Sequence, residues 1–168
     1  MSIIQTGGQR PIQSRCDHDV PSLVVCASLV EKISNQAALC RTCEVLGVSR
    51  LILPRPQDSW EFRKVAASAQ QWQPVDYCPP DRLQAWLSQQ IGYTRVALTV
   101  GAQTQTLANY VFAAKTLLLV GRELTGIPSD IEKLCDVALT IPQYGQVNSL
   151  NVQTAAAISI YEYNCQWR

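Results

Sequence analysis

The sequence predicts an α/β domain: a parallel sheet covered by helices on both faces. Three observations lead there. Short apolar runs rich in β-branched residues and leucine alternate with segments of helical spacing from residue 22 to the end. Two of the runs, 94–100 and 115–120, are almost continuously apolar, as strands buried on both sides must be. Finally, Gly, Pro and Asn punctuate several of the joins. With 168 residues, 47% of them apolar and 16% charged, the chain has the length of one domain and enough apolar matter for a core.

In chain order, residues 1–21 are polar and expected to be poorly ordered, which leaves 22–168 as the domain. The opening residues lack the apolar stretch of a signal peptide, and no apolar run reaches the roughly 18 residues of a membrane helix. Residues 22–27 read as a buried strand. A helix is expected over 35–46, with Asn35 as its N-cap and Gly47 just past its end. Residues 50–53 form a second strand, closed by Pro54 and Pro56. Trp60, Val65 and Ala69 lie at helical spacing within 58–71. A short strand at 75–77 precedes a helix that Pro80 opens and that runs to about Gln90. Strands follow at 94–100 and 115–120, then a helix from Ser129 to about Leu134 and a strand at 137–141. A last helix is expected from about Ser149 to Cys165.

Charge and cysteine content narrow the function. Fourteen Lys and Arg against thirteen Asp and Glu give +1, so bulk charge is not what would hold a nucleic acid. Seven Cys without paired spacing imply free thiols in a reducing compartment, the cytoplasm or the nucleus. The only histidine, His18, lies in the polar segment, which disfavours a histidine base and most metal sites. Cys40 and Cys43 have the spacing of half a zinc site or a redox pair. No second pair or His lies nearby, so they read as two small apolar residues on a helix, and no metal is expected.

A sheet of this type binds ligands beyond the carboxyl ends of its strands. Three segments stand out. Residues 121–128 set Gly121 and Gly126 around Glu123 directly after a buried strand, where glycine lets backbone approach a ligand or simply makes a turn. The pattern is neither the dinucleotide fingerprint nor the phosphate loop. Residues 142–157 form a polar loop with Asn148, Ser149 and Asn151 clustered where a helix begins. Ser149 suits a cap, Asn151 is surplus to capping, and Ala155, Ala156 and Ala157 make a face of small residues. In the first helix, Ala37, Arg41 and Glu44 fall on one face, with a surface ion pair as the alternative use of the last two.

Together the segments carry a resemblance. Asn35 and Arg41 followed by Thr42-Cys43-Glu44, then Gly121-Arg122-Glu123 with Gly126-Ile127, then Ile141-Pro142, Gly145 and Ser149-Leu150-Asn151-Val152 resemble, in order and spacing, the three motifs of the SpoU/TrmH branch of the SPOUT RNA methyltransferases. The likeness runs from about Leu23 to the C-terminus. It is strongest to the C-terminal domain of the large eukaryotic tRNA guanosine-2′-O-methyltransferases of the TAR RNA-binding-protein type. In that subgroup the domain follows a long helical-repeat region, so this chain is either an excised domain or a minimal stand-alone enzyme.

The resemblance implies a SPOUT fold whose C-terminal segment forms a deep trefoil knot, S-adenosylmethionine as cofactor, and a homodimer that completes the active site. The implied reaction is 2′-O-methylation of RNA, foremost the guanosine at position 18 in the tRNA D-loop, with rRNA as the other substrate and a catalytically silent scaffold as the other role. The implied cofactor residues are Val100, Gly101, Val120, Gly121, Gly126, Ile127, Ile141, Gln143, Ser149, Leu150 and Ala156. The implied catalytic residues are Asn35, Arg41, Glu123, Ser149 and Asn151. Family mechanisms make the arginine a base. Neutral arginine at pH 7 costs about 7 kcal/mol or more, so a cation that orients phosphate and stabilises the developing alkoxide is the favoured role of Arg41. Asn35 and Asn151 would fix geometry, and Glu123 would hold Arg41 or helix N-termini. Two residues depart from the family pattern. Ala37 replaces a glycine and is expected to narrow the RNA approach, and Arg122 stands where Asn or Ser is usual.

Overall fold

A computed structural model describes residues 20–101, 103–147 and 149–168. The polar segment up to residue 19, including His18, and Asn148 lie outside the described residues. Seven strands, β1 (Ser22–Cys26), β2 (Arg50–Leu53), β3 (Val75–Tyr77), β4 (Thr94–Leu98), β5 (Gln105–Thr106), β6 (Lys115–Val120) and β7 (Val137–Thr140), form one sheet. Every pairing is parallel, in the order β3-β2-β1-β6-β4-β7-β5. The helices are α1 (Ile33–Val45), α2 (Trp60–Ala66), α3 (Leu83–Ser88), α4 (Ser129–Glu132) and α5 (Val152–Trp167).

Alternation along the strands decides which helix covers which face. Leu23, Val25, Leu51, Leu53, Leu118 and Val120 pack into one cluster with α1, α2 and α5, through Leu39, Phe62 and Ile160. Val24, Cys26, Ile52, Leu117 and Leu119 point the other way and meet Leu83, Leu87 and Ile131 of α3 and α4. At the far end of the strands Asp136 accepts from the Arg95 backbone N–H (2.7 Å) and from its guanidinium, joining the starts of β4 and β7.

Several boundaries differ from the expectation, each for a local reason. Asn35 is not the N-cap of α1. Lys32 caps by backbone geometry and Asn35 sits a turn inside, buried. Gly47 does stand just past the helix, at φ +66°. The helical spacing of 58–71 breaks at Ala67 and Ser68, both with positive φ, so α2 ends at Ala66 and a separate 3₁₀ turn follows. Pro80 opens a 3₁₀ turn before α3, which ends at Ser88 rather than Gln90. The last helix starts at Val152, not Ser149. The two-residue strand β5 was not anticipated, being too short to show a period.

α5 is fastened along its length. Asn164 donates to the Leu46 carbonyl (2.8 Å), Gln166 donates to the Tyr110 carbonyl (2.9 Å) and accepts from the Phe112 N–H (2.9 Å). Trp167 donates to the Phe112 carbonyl (3.0 Å), and Phe112 meets the rings of Tyr110 and Tyr163 edge-on. These contacts bind α5 to the end of α1 and to the segment leading into β6.

Immediately after β6 the chain folds back on itself. The Arg122 N–H donates to the Gly126 carbonyl (2.9 Å) and the Gly126 N–H to the Arg122 carbonyl (3.1 Å). Gly126 has φ +70°. A Cβ on Gly121 would lie 2.5 Å from the Gly126 carbonyl carbon and 2.7 Å from the Ile127 nitrogen. Gly121 is therefore required by the turn's own backbone, before any ligand is considered.

The two glycines should respond differently. Gly126→Ala faces open space and should cost about 1–2 kcal/mol from its left-handed backbone. Gly121→Ala must push two backbone segments apart and should cost more, at least about 2 kcal/mol. Urea denaturation of both variants checks this, and equal or reversed losses would contradict it.

Candidate active site

The carboxyl ends of β4, β6 and β7 frame a cleft of about 390 Å³, the position expected of a ligand site in a parallel sheet and a size in the usual range for one. Leu98, Val120, Ile127, Ile141, Leu150 and Ala155 contribute apolar walls, and Glu132 brings a carboxylate. Val100, Gly121, Gly126, Gln143 and Ser149 also line it. Gly101 is exposed beyond the lining, where its carbonyl accepts from Thr104 (2.8 Å). Ala156 is fully buried in the core, and Ala155 faces the cleft in its place. An α-helix turns its neighbouring positions 100° apart, so the correction from one alanine to the next exchanges cleft for core.

At the mouth of this cleft a line of hydrogen bonds crosses three segments. The Glu123 carboxylate accepts from the backbone N–H groups of Glu31 (3.1 Å) and Lys32 (3.0 Å), and from Asn35 Nδ2 (2.9 Å). Asn35 Oδ1 accepts from Asn151 Nδ2 (3.1 Å). Asn151 Oδ1 in turn accepts from the Gln153 N–H (2.8 Å). A carboxylate only accepts, so Glu123 dictates which end of the Asn35 amide faces Asn151. Asn151 is thus both the N-cap of α5 and the link to α1, and the view that it is surplus to capping is corrected. Ser149 is exposed at the cleft wall and caps nothing.

Burial pushes the Glu123 carboxyl up, but the Asn35 amide and the N–H groups of Lys32 and Glu31 outweigh it and hold the group below its ordinary value. Glu123 bonds the start of α1 and does not reach Arg41. Arg41 lies two turns further along α1, exposed and, among the described residues, without an ion pair to Glu44. Ala37, expected beside it, is instead fully buried in the core, so its methyl cannot narrow any surface approach. Arg122 lines the cleft, with its guanidinium Nε 3.5 Å from Glu31.

The sequence reading missed Gln153 and Thr42, which join α5 to α1 through a 2.9 Å hydrogen bond. The seven-residue separation of Thr42 from Asn35 puts both on one helix face and was the available signal. Cys40 and Cys43 are buried in the core, and burial pushes the Cys40 thiol up to about 11, well away from redox or ligand use.

The same segments decide the family. The profile of the SpoU rRNA methylase family matches residues 22–161. The chain belongs to the SpoU family. Among curated proteins this SpoU domain is 40% identical over 151 residues to the tRNA (guanosine(18)-2′-O)-methyltransferase TARBP1 of Mus musculus, covering 88% of this chain and 10% of that protein. It is 34% identical to the tRNA (guanosine(18)-2′-O)-methyltransferase of Saccharomyces cerevisiae, covering 86% of this chain and 10% of that one. The chain therefore spans about a tenth of the length of these two relatives. An AdoMet-bound rRNA methyltransferase from Sinorhizobium meliloti superposes with a TM-score of 0.79 at 21% identity, over 90% of this chain and 59% of that chain, and so shares the fold.

Because the folded-state value of Glu123 is depressed, its stabilising contribution is present above the ordinary carboxylate value and is lost as pH falls through the depressed one. Glu123→Gln should lower stability at pH 7 by about 1 kcal/mol, a figure discounted for partial exposure. The gap to the parent protein should close in acid, as the parent's own carboxylate protonates. Denaturation at pH 7 and at pH 3 measures both; a gap that does not shrink in acid would contradict the assignment.

Proposed function

We propose that this domain transfers a methyl group from S-adenosylmethionine to a ribose 2′-hydroxyl of tRNA, at guanosine 18 in the D-loop. The observation that carries the reading is the Glu123–Asn35–Asn151 line at the mouth of an apolar cleft, formed by the three segments that match the family. The similarity to the mouse and yeast tRNA methyltransferases supports the substrate.

The cleft fits the cofactor. Its apolar walls suit an adenine, and the Glu132 carboxylate suits a ligand carrying a sulfonium and an ammonium. S-adenosylmethionine, when bound, supplies an electrophilic methyl carbon. The chain's own residues would position the attacking hydroxyl: Asn35 and Asn151 present amides whose orientation Glu123 fixes, and Ser149 brings a hydroxyl to the cleft wall. Arg41 serves as a cation that holds the phosphate beside the reacting ribose and stabilises the alkoxide as it forms.

Arg41 does not line its own cleft, which fits a site shared between subunits. Around it α1 exposes Ser34 and, 70% exposed, Val45, while α5 exposes Ile158 (40%) and Tyr161 (63%). A homodimer covering these side chains brings Arg41 of one subunit to the cleft of the other. After β7, Ile141, Gln143, Ser149 and Leu150 line the same cleft as the ends of β4 and β6, and α5 packs on α1, which agrees with the trefoil knot of the family. The domain is taken as 22–168, working in the cytoplasm or the nucleus. With a net charge of +1, it relies on its second subunit, and on a larger N-terminal region where the chain is part of a longer protein, to grip RNA.

Arg41→Ala should reduce methyl transfer to unmodified tRNA at least about a hundredfold while S-adenosylhomocysteine affinity stays within about threefold. Transfer at the parent rate would remove Arg41 from the mechanism, and a product mapped to rRNA would move the substrate. Leu150→Trp should fill the cleft and abolish cofactor binding. Mixing the two variants should restore activity to one of the two sites in each heterodimer. No restoration would mean that each site is built from a single subunit.

A further inference from the structure

Arg122 is the one cation among the described residues that line the cleft. Its setting shows what the charge can do. Its neighbour Glu123 has its acceptors occupied by three donors, so Arg122 is not needed to neutralise it. The guanidinium turns instead to Glu31, which the same turn already holds through the Glu31 N–H. The contact is single and long, Nε to Oε1 at 3.5 Å, between side chains 35% and 64% exposed. A pair of this kind is weak. It leaves most of the guanidinium's five N–H donors unused, and among the described residues no other acceptor meets them. The charge is thus parked next to the turn that orients Asn35, at the rim where a ribose must enter.

We propose that Arg122 contacts an RNA phosphate beside the target ribose, and that Glu31 occupies its guanidinium until the RNA displaces the carboxylate. This rests on the methyltransferase reading. Only one Glu31 oxygen meets the guanidinium, and at 3.5 Å, whereas a phosphate free to align can engage the planar fork with two oxygens, so the exchange favours RNA. Glu31 remains tied to Glu123 by its backbone, so its side chain can swing away without loosening the start of α1. Arg122 thereby adds RNA affinity locally, in a chain whose net charge supplies little.

Equilibrium binding of an unmodified tRNA transcript to the full chain at low salt, followed by fluorescence anisotropy, tests the exchange. Arg122→Gln should weaken binding about five- to tenfold and reduce the slope of log affinity against log salt by about 0.7–0.9. Arg122→Lys should recover the slope but only part of the affinity. Glu31→Gln should tighten binding about two- to fivefold, and this gain should vanish in the Arg122→Gln background. A gain that persists there would mean Glu31 merely repels RNA, and the proposal fails. It also fails if Arg122→Gln binds tRNA like the parent, or if S-adenosylhomocysteine titration shows cofactor affinity falling as much as tRNA affinity. Absence of tRNA binding by the parent chain, with S-adenosylhomocysteine binding retained, would overturn Arg122 as an RNA contact of this domain while leaving the cofactor reading standing.

Discussion

One carboxylate holds the site together. Glu123 lies on the turn after β6, yet among the described residues all of its hydrogen-bond partners outside that turn belong to the start of α1, and through Asn35 it reaches the cap of α5. Three segments far apart in sequence are thereby fixed to each other at the point where the cleft opens. Aligned acceptors and donors in a partly buried line polarise one another, and each amide is left with one permitted orientation. A loop tethered only by apolar contact would not impose that.

The turn that carries Glu123 can point it there only because it is so tight. Gly121 lets the backbone of Gly126 and Ile127 close to distances that no side chain would allow, and Gly126 takes a left-handed conformation to complete the reversal. The same closure turns Arg122 outward to Glu31. The glycine spacing in the sequence fits either room for a ligand or a plain turn. In the structure the room at Gly121 is taken by the chain's own backbone, and the closed turn lines the cleft.

The sheet was largely legible because burial on both faces forces apolar strands, and β1, β4 and β6 lie within the expected runs. What escaped was governed by contacts between segments. Asn35 looks like a cap because its residue type favours caps, but its partners are 88 and 116 residues away in sequence. Asn151 looks surplus to capping for the same reason in reverse. Ala156 and Ala155 differ by one step around a helix whose phase the sequence did not fix, since apolar residues run around more than one side of α5. Ala37 reads as surface next to Arg41 until the core claims it. The three motifs in order mark segments that the structure brings together around one cleft, and the hydrogen bonds that join them there run between positions no local pattern relates.

The central claim is that one side chain couples α1, the turn after β6 and the start of α5. Amide hydrogen exchange on Glu123→Gln at pH 7 tests it most directly. The account predicts faster exchange together in 31–36, 121–127 and 152–155, with the far ends of β4 and β7 unchanged. Acceleration confined to 121–127, with the other two segments protected as before, would contradict it.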